Sequence, residues 1–274
     1  MVNRMAGSND DTIFISHMKK IFLRILLLSL PAALSVGCSN EDMTPIHGEQ
    51  EAGKVVVRSY NDTKDSLQVT VSGKPLSIDD KDTFKGKIVT DYEFVFYDNQ
   101  AKNIDIINKA TGVVLHSYSY TAAKPVDTLS FYYKDGIWID DVLSFKPGVL
   151  GAPGRTGYRF IFPTLNRYSN SGYDGLLDAI VKKVNGELLG IAENITKDEF
   201  SSFVEFDFGA PPVLQIEIVK HGTTESYIAG RKVIVQGVMQ NNKSRMIVLD
   251  EKANESGTFT GVDGSVNLAD LFDF

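Results

Sequence analysis

The chain contains one order of short strand-like segments twice, and this internal repeat is the feature that most limits how it can fold. The corresponding segments, spaced by about 110 residues, are Val55–Tyr60 and Tyr158–Phe162, Val69–Leu76 and Val184–Leu189, Tyr92–Phe96 and Phe203–Phe208, and Ile104–Lys109 and Leu214–Lys220. Within each copy a tight turn, Ser72-Gly73 or Asn185-Gly186, lies at the same place in the order. We therefore predict a tandem duplication of one structural module.

Each copy alternates apolar and polar residues, with turn signals about every 8 to 12 residues, which is typical of a β-sandwich. Asp135-Gly136 separates Phe131–Lys134 from Ile137–Ile139 and predicts a β-hairpin, because type I′ turns need positive φ at both central positions. The sequence therefore predicts an all-β chain with two tandem sandwich domains.

Three further segments have local predictions of their own. Asn241-Asn242 is predicted to join Val233–Met239 to Ser244–Leu249 as another hairpin turn. Leu268–Phe272 is a helical candidate, whereas Tyr173–Lys183 suits either a helix or a strand. Helix is therefore expected to be a minor component.

The predicted domain organisation begins with segments outside the repeat. Its parts are a signal peptide at 1–37, a lipidated cysteine with a flexible tether at 38–53, a first sandwich at 54–146, a linker at 147–157, a second sandwich at 158–250, and an acidic, glycine-rich tail at 251–274. The linker has four glycines but no following Gly-Lys-Ser/Thr, so we interpret it as an interdomain connector rather than a phosphate-binding loop. Few contacts are expected to cross it, and proteolysis near Arg155 is expected to release two folded pieces.

The N-terminal region has the layout of a secretory signal peptide, and its true start is predicted at Met18. Basic residues, including Lys19 and Arg24, precede an apolar core at Ile25–Leu30 and then small residues up to Gly37. The stretch is too short and wrongly flanked for a spanning helix. Cys38 is the single cysteine of the chain, which excludes an internal disulfide and a cysteine zinc cluster.

Leu34-Ser35-Val36-Gly37-Cys38 resembles the lipobox of bacterial lipoproteins, although Ser35 stands where leucine is usual. The resemblance implies cleavage before Cys38 and a lipid on its thiol. Ser39–Asp42 resembles the acidic signal that directs Bacteroidetes lipoproteins to the outer face of the outer membrane. It implies a lipid-anchored, surface-exposed protein of the outer membrane, with the periplasmic face as the alternative.

The two modules together resemble the tandem immunoglobulin-like or transthyretin-like modules of Bacteroidetes lipoproteins, a resemblance of pattern that transfers no catalytic residue. Asp65-Ser66-Leu67 and Asp127-Thr128-Leu129 also resemble the short motif used for O-glycosylation in that phylum. Ser66, beside the turn-like Asn61–Asp65, is the better candidate, because we expect Thr128 to be buried at the start of a strand.

No pattern in the sequence points to catalysis, a cofactor or a metal. His47, His116 and His221 each lack a second histidine at ligand spacing and are interpreted as solvated residues. Asp79–Asp82 and Asp140-Asp141 lack the arrangement of a calcium loop and are interpreted as charged loop tips and edges. No nucleophile elbow or nucleotide fingerprint occurs. With a net charge of −7 and no long basic cluster, nucleic acid is not an expected partner.

The Phe131–Trp138 hairpin carries a candidate ligand platform consisting of Tyr132, Tyr133 and Trp138. On alternating strands one set of these rings must face the core, and the other is available to stack on a sugar or contact a protein. A buried tryptophan is the competing interpretation for Trp138, because immunoglobulin-like cores commonly contain one.

These observations favour a non-catalytic binding or adhesion lipoprotein whose partners are the outer membrane and a glycan or protein ligand. The alternative is a fimbrial subunit or anchor, which would mature by cleavage after Lys54 or Arg58 in the first strand and would have a sandwich that lacks a strand. An accessory protein of carbohydrate processing is a third hypothesis, although carboxylate pairs cannot be recognised in a sequence this rich in surface acids.

Overall fold

Two β-sandwiches follow one another along the part of the chain that a computed structural model describes, residues 50–77 and 80–274. The strands of the first sandwich are β1 (Gln50–Asn61), β2 (Leu67–Val71), β3 (Lys74–Pro75), β4 (Gly86–Tyr97), β5 (Lys102–Asn108), β6 (Val114–Tyr120), β7 (Val126–Leu129), β8 (Phe131–Lys134) and β9 (Ile137–Asp140). The predicted signal peptide, Cys38 and the tether up to residue 49 lie outside the described residues.

The second sandwich uses eight strands and ends in a short helix. They are β10 (Arg155–Ile161), β11 (Leu177–Lys183), β12 (Leu188–Ile195), β13 (Val204–Asp207), β14 (Val213–Lys220), β15 (Ile234–Val238), β16 (Lys243–Ala253), β17 (Phe259–Asn267) and α1 (Leu268–Leu271). The all-β prediction is confirmed, and the helical prediction at Leu268–Phe272 is confirmed by α1.

The two sandwiches have the same strand order, as the internal repeat predicts. In the first, one sheet has the order β4-β1-β8-β9, with β7 also paired to β1, and the other has β3-β2-β5-β6. In the second, the orders are β13-β10-β16-β17 and β12-β11-β14-β15. The pairing directions agree as well, because β1 and β10 are each antiparallel to one neighbour and parallel to the other.

Turn chemistry fixes the local hairpins. Asp135 and Gly136 have φ of 41° and 81° and join β8 to β9, as predicted. Asn242 also has positive φ, but β15 and β16 belong to opposite sheets, so the predicted hairpin there is wrong. The turn redirects the chain across the sandwich instead of returning it beside the same strand. The ambiguous stretch before Lys183 resolves as strand β11.

Three boundaries differ from those predicted from the sequence, because backbone pairing between strands continues beyond them. β1 begins at Gln50, inside the predicted tether, and pairs with β4 from its first residue. β10 begins at Arg155, inside the predicted linker. In the predicted tail, residues 259–267 form β17, which pairs with β16, and Glu251 is 1% exposed.

Each sandwich has its own apolar core, and a third apolar cluster contains residues of both. The buried members of this shared cluster are Tyr132, Ile137, Ile139 and Val142 from the first half and Ile161, Phe200, Met246, Val248, Leu268 and Ala269 from the second. Leu271 and Phe272 pack against it. The shared cluster contradicts the expectation that few contacts cross the linker.

Candidate ligand-binding site

The β8–β9 hairpin separates the three predicted platform residues. Tyr132 is 0% exposed and belongs to the shared cluster, where its hydroxyl donates to Asp62 Oδ2 at 2.9 Å. Burial and the nearby Asp62 carboxylate raise the pKa of Tyr132, which keeps the hydroxyl a donor. The prediction that Tyr132 belongs to an exposed platform is therefore wrong, because the second sandwich covers the face on which this residue lies.

Trp138 is half-buried and stacks with one ring on β8 and one ring on β6 of the opposite sheet. The centroid of Phe131, which is fully buried, lies 4.4 Å from that of Trp138 with the planes 17° apart. The His116 ring on β6 lies 5.0 Å away and 8° from parallel, and its side chain is 36% exposed. Tyr133 contacts Trp138 at a tilt, with centroids 5.7 Å apart. The rings make Trp138 part of a stack that joins the core to the surface.

A carboxylate lies beside this stack. Tyr118 on β6 donates its hydroxyl to Asp140 Oδ1 at 2.5 Å, and His116 Nε2 lies 3.9 Å from Asp140 Oδ2. Burial raises the pKa of Tyr118, and the hydrogen bond to Asp140 raises it further. Tyr118 therefore remains protonated and fixes the direction of the Asp140 carboxylate.

The strand order explains why these groups meet. β6 is the edge of one sheet of the first sandwich and β9 is the edge of the other. In a strand, side chains two residues apart point to one face, so His116, Tyr118 and Tyr120 share a face of β6. We call the site formed by His116, Tyr118, Trp138 and Asp140, together with the adjoining cavity, the β6–β9 cleft.

The adjoining cavity has a volume of about 220 Å³ and a mainly polar lining. Tyr118 and Asp140 border it together with Tyr120, Lys124, Asp127 and Asp141. Lys124 Nζ pairs with Asp127 Oδ2 at 2.7 Å, and no cation pairs with Asp141 among the residues that the structure describes. Three carboxylates therefore face one ammonium group, and the cavity has an excess of negative charge.

Asp141 has backbone strain at the rim of this cavity. Its φ is 46°, in the left-handed region, where it begins a short 3-10 helix at Val142–Ser144 without a side-chain capping bond. The turn directs the chain away from β9 directly after Asp140. This leaves the end of β9 open to solvent at the cavity.

Sequence reasoning found Tyr133 and Trp138 but missed their polar neighbours. The sequence predicts a solvated His116, yet its ring stacks on Trp138; it predicts a charged edge at Asp140, yet this carboxylate accepts a hydrogen bond from Tyr118. The usable signal was the alternation in Val114–Tyr120, which puts one histidine and two tyrosines on one strand face. The partner strand β9 could not be deduced, because the two edges belong to different sheets.

Of the two predicted glycosylation residues, Thr128 is more exposed than Ser66, which is the reverse of the expectation. Ser66 is half-buried before β2, and its carbonyl accepts a hydrogen bond from Lys109 N at 2.9 Å. Thr128 on β7 is exposed and lines the cavity of the β6–β9 cleft. The expectation that Thr128 is buried is wrong, and glycosylation at either residue stays a prediction.

Two other classes of feature are absent from the described part of the chain. Residues 50–77 and 80–274 contain no group of three or more His, Cys, Asp or Glu side chains placed to hold a metal ion. None of the helices in these two ranges has the length and apolar character required to cross a membrane.

We compared the chain with protein families, with curated proteins and with solved structures. No protein-family model and no curated protein matches the chain. Among solved structures, the chain is similar to a carbohydrate-binding module of family CBM26 from Eubacterium rectale, crystallised in complex with maltoheptaose. The match has a TM-score of 0.20 and 10% sequence identity, and it covers 77% of this chain and 94% of that one. A similarity this low transfers no site and no ligand to this chain.

Proposed function

We propose that this chain is a non-catalytic binding module of the cell envelope that holds a neutral or amine-bearing oligosaccharide in the β6–β9 cleft. The observation that carries the proposal is the Tyr118–Asp140 hydrogen bond, which fixes a carboxylate between an aromatic stack and a polar cavity. Rigid aromatic surface next to a few oriented polar groups is the usual composition of a small-ligand site.

The chemistry of the cleft favours a ligand rich in hydroxyl groups. Tyr118 occupies Oδ1 of Asp140, whereas Oδ2 makes no hydrogen bond with a described residue and has His116 Nε2 3.9 Å away, so Oδ2 can accept a hydrogen bond from a sugar hydroxyl or amine. The half-exposed His116 ring supplies a flat surface backed by Trp138. The surplus of carboxylates in the cavity disfavours a ligand that carries negative charge of its own.

The proposed attachment to the outer membrane rests on the sequence around Cys38, which resembles a lipobox. A diacyl or triacyl cysteine would hold the chain firmly, since each buried CH₂ contributes about 0.8 kcal/mol. Metabolic labelling with a fatty-acid probe should mark the natural chain and leave Cys38→Ala unlabelled.

The fimbrial alternative lacks the observation that would favour it. Lys54 and Arg58 both lie on β1, which is seated between β4 and the pair β7 and β8, with Val55 and Val57 at 0% exposure. Each of the four described sheets has at least four strands. The position of Lys54 and Arg58 on β1 agrees with the cleavage expected of a fimbrial subunit, but the described sheets lack no strand, and this disfavours the fimbrial hypothesis.

A glycan array probed with the full chain in detergent tests the binding proposal. The natural chain should bind a set of neutral or amine-bearing oligosaccharides, and Asp140→Asn should lose them. Asp198→Asn is a matched control, because Asp198 is an exposed acid of the second sandwich. Equal binding by Asp140→Asn and the natural chain would place the ligand elsewhere.

A further inference from the structure

Positive charge is concentrated at the start of β4, on the opposite edge of the sheet from β9. Lys81, Lys85 and Lys87 line one cavity of about 650 Å³ there. Lys87 and Arg58 line a neighbouring cavity of about 270 Å³, which shares Lys87, Ile88 and Val89 with the first. The two cavities therefore form one continuous surface, the β4 cationic surface, in a chain whose formal net charge is −7.

Most of these cations have no carboxylate partner. Lys87 pairs with Asp273, whereas Arg58, Lys81 and Lys85 make no ion pair with any described residue. Elsewhere in the first sandwich, Lys54 and Lys124 do pair, with Asp91 and Asp127. Unpaired like charges close together repel one another, and an anionic ligand would remove that repulsion.

The lining also contains groups that suit a sugar ring. Ser66 and Thr83 bring hydroxyl groups to the larger cavity, and Phe84 and Val89 bring apolar surface. Phe84 is held by two backbone hydrogen bonds with Leu67, of 2.7 and 2.9 Å, so this wall is fixed by the sheet. Val89 is 56% exposed, which leaves its apolar surface accessible to a ligand. The volume is within the range of small-ligand sites, about 300–1,000 Å³.

From these observations we propose that the β4 cationic surface binds an acidic oligosaccharide, with its carboxylate or sulfate groups on Lys81, Lys85 and Arg58 and its sugar rings on Phe84 and Val89. An extended nucleic acid fits less well, since the four cations occupy one short patch instead of a long row. The proposal does not depend on the β6–β9 cleft, which has the opposite charge.

The test is a calorimetric titration of the full chain in detergent with a hexamer of galacturonic acid, repeated with the methyl-esterified hexamer. The ester keeps the sugar backbone and removes the charge, so we expect its affinity to be at least about tenfold lower. The double variant Lys81→Gln/Lys85→Gln should lose about tenfold for the acidic hexamer. Affinity should also fall as salt rises, because exposed charges are screened.

Matched variants show whether the affinity comes from the β4 cationic surface. Lys197→Gln/Lys232→Gln removes two exposed lysines of the second sandwich and should bind the acidic hexamer as the natural chain does. Asp198→Asn, at an exposed acid that lines neither the cleft nor the β4 cationic surface, should also bind it unchanged. The cleft proposal is tested with uncharged and amine-bearing oligosaccharides, so its failure and failure here are distinguishable.

A sulfated hexasaccharide as a second ligand shows which acid group is preferred, and tighter binding of either acidic sugar than of its uncharged form supports the proposal. Equal affinity for acid and ester, equal loss in the two lysine variants, or tighter binding of a single-stranded oligonucleotide would overturn it.

Discussion

Glu251 is the residue that holds the longest loop of the second sandwich in place. Its carboxylate is buried and accepts hydrogen bonds from the backbone N–H groups of Asn166, Tyr168 and Ser169, at 2.7–3.2 Å. The hydroxyl groups of Ser169 and Tyr227 donate to it as well. Five donors therefore satisfy one buried charge, which offsets the cost of its burial.

Glu251→Gln should lower the free energy of unfolding by about 2–4 kcal/mol. The amide NH₂ would face donors that now point at a carboxylate oxygen, which leaves buried N–H or O–H groups unsatisfied. Chemical denaturation measures the change. Glu255→Gln, at an exposed neighbouring position, should be unchanged, and an equal effect of the two substitutions would contradict the role of Glu251.

A second buried carboxylate makes stability depend on pH. Asp178 accepts hydrogen bonds from His221 Nδ1 at 2.9 Å, Gly222 N at 2.8 Å and Asn194 N at 3.1 Å. Burial alone would raise the pKa of Asp178, but these hydrogen bonds outweigh it and lower that pKa. The same hydrogen bond raises the pKa of His221 above 6.5.

Because the pKa of His221 is raised, the sign of its contribution to the pH dependence of stability can be stated. A raised folded-state pKa gives stability that is complete below the unfolded pKa of about 6.5 and is lost as pH rises through the folded pKa. The Asp178 contribution is present above 3.8 and is lost as pH falls through its lowered pKa. The difference in unfolding free energy between the natural chain and His221→Gln should therefore shrink as pH rises above about 6.5. A difference that grows over that range would refute the assignment.

At the scale of the element, close packing explains two glycines of the glycine-rich segment 147–157. A Cβ on Gly148 or on Gly157 would lie 2.2 Å from an atom of the Phe203 ring. The ring lies over both glycines and fastens the linker to the second sandwich. The Arg155 side chain adds an ion pair with Glu205 Oε1 at 2.7 Å.

Gly157→Ala should destabilise the fold by about 1–3 kcal/mol, because Phe203 must leave its position to admit a methyl group. Gly261→Ala is a matched strand control, since nothing lies within 4 Å of a Cβ there. Thermal unfolding compares the two. Equal melting temperatures for both variants would show that a methyl group at position 157 does not displace the Phe203 ring.

Local chemistry made most elements predictable from the sequence. Alternation identified the strands and the repeat, and Asp135-Gly136 identified a hairpin, because each depends on neighbours in the chain. Long-range packing was not predictable. The residues near Tyr132 in the sequence do not show that a second sandwich covers it. In the same way, the sequence around Glu251 suggests one acid of a polar tail, because its five hydrogen-bond donors come from distant segments of the chain. In the cleft, the rings were visible, but the pairing of Tyr118 with Asp140 was not.

At the scale of the whole molecule, the shared cluster joins the two sandwiches. The described residues form one compact unit, and α1 contributes Leu268 and Ala269 to the cluster. Beyond α1, Lys87 of the first sandwich pairs with Asp273, and Lys146 lies 5.7 Å from the centroid of the Phe274 ring. The end of the chain thus fastens one sandwich to the other.

Leu268→Ala should lower the unfolding free energy by about 3 kcal/mol, because Leu268 is 0% exposed. Since the cluster belongs to both sandwiches, the natural chain should unfold in one calorimetric transition, and the variant should unfold at a lower temperature. Asp270→Ala, on the exposed side of α1, is the control. Two well-separated transitions in the natural chain would mean that the sandwiches fold independently.

The most direct test of the central claim, that the β6–β9 cleft is the binding site, uses the emission of Trp138, the single tryptophan of the chain. Its ring stacks with His116, so a sugar bound in the cleft must change its surroundings. Titrating the full chain with an oligosaccharide that binds on the array should give a saturable change in emission, absent in Asp140→Asn and retained in Asp198→Asn. An oligosaccharide that binds with equal affinity to all three proteins and leaves the emission of Trp138 unchanged would contradict the claim.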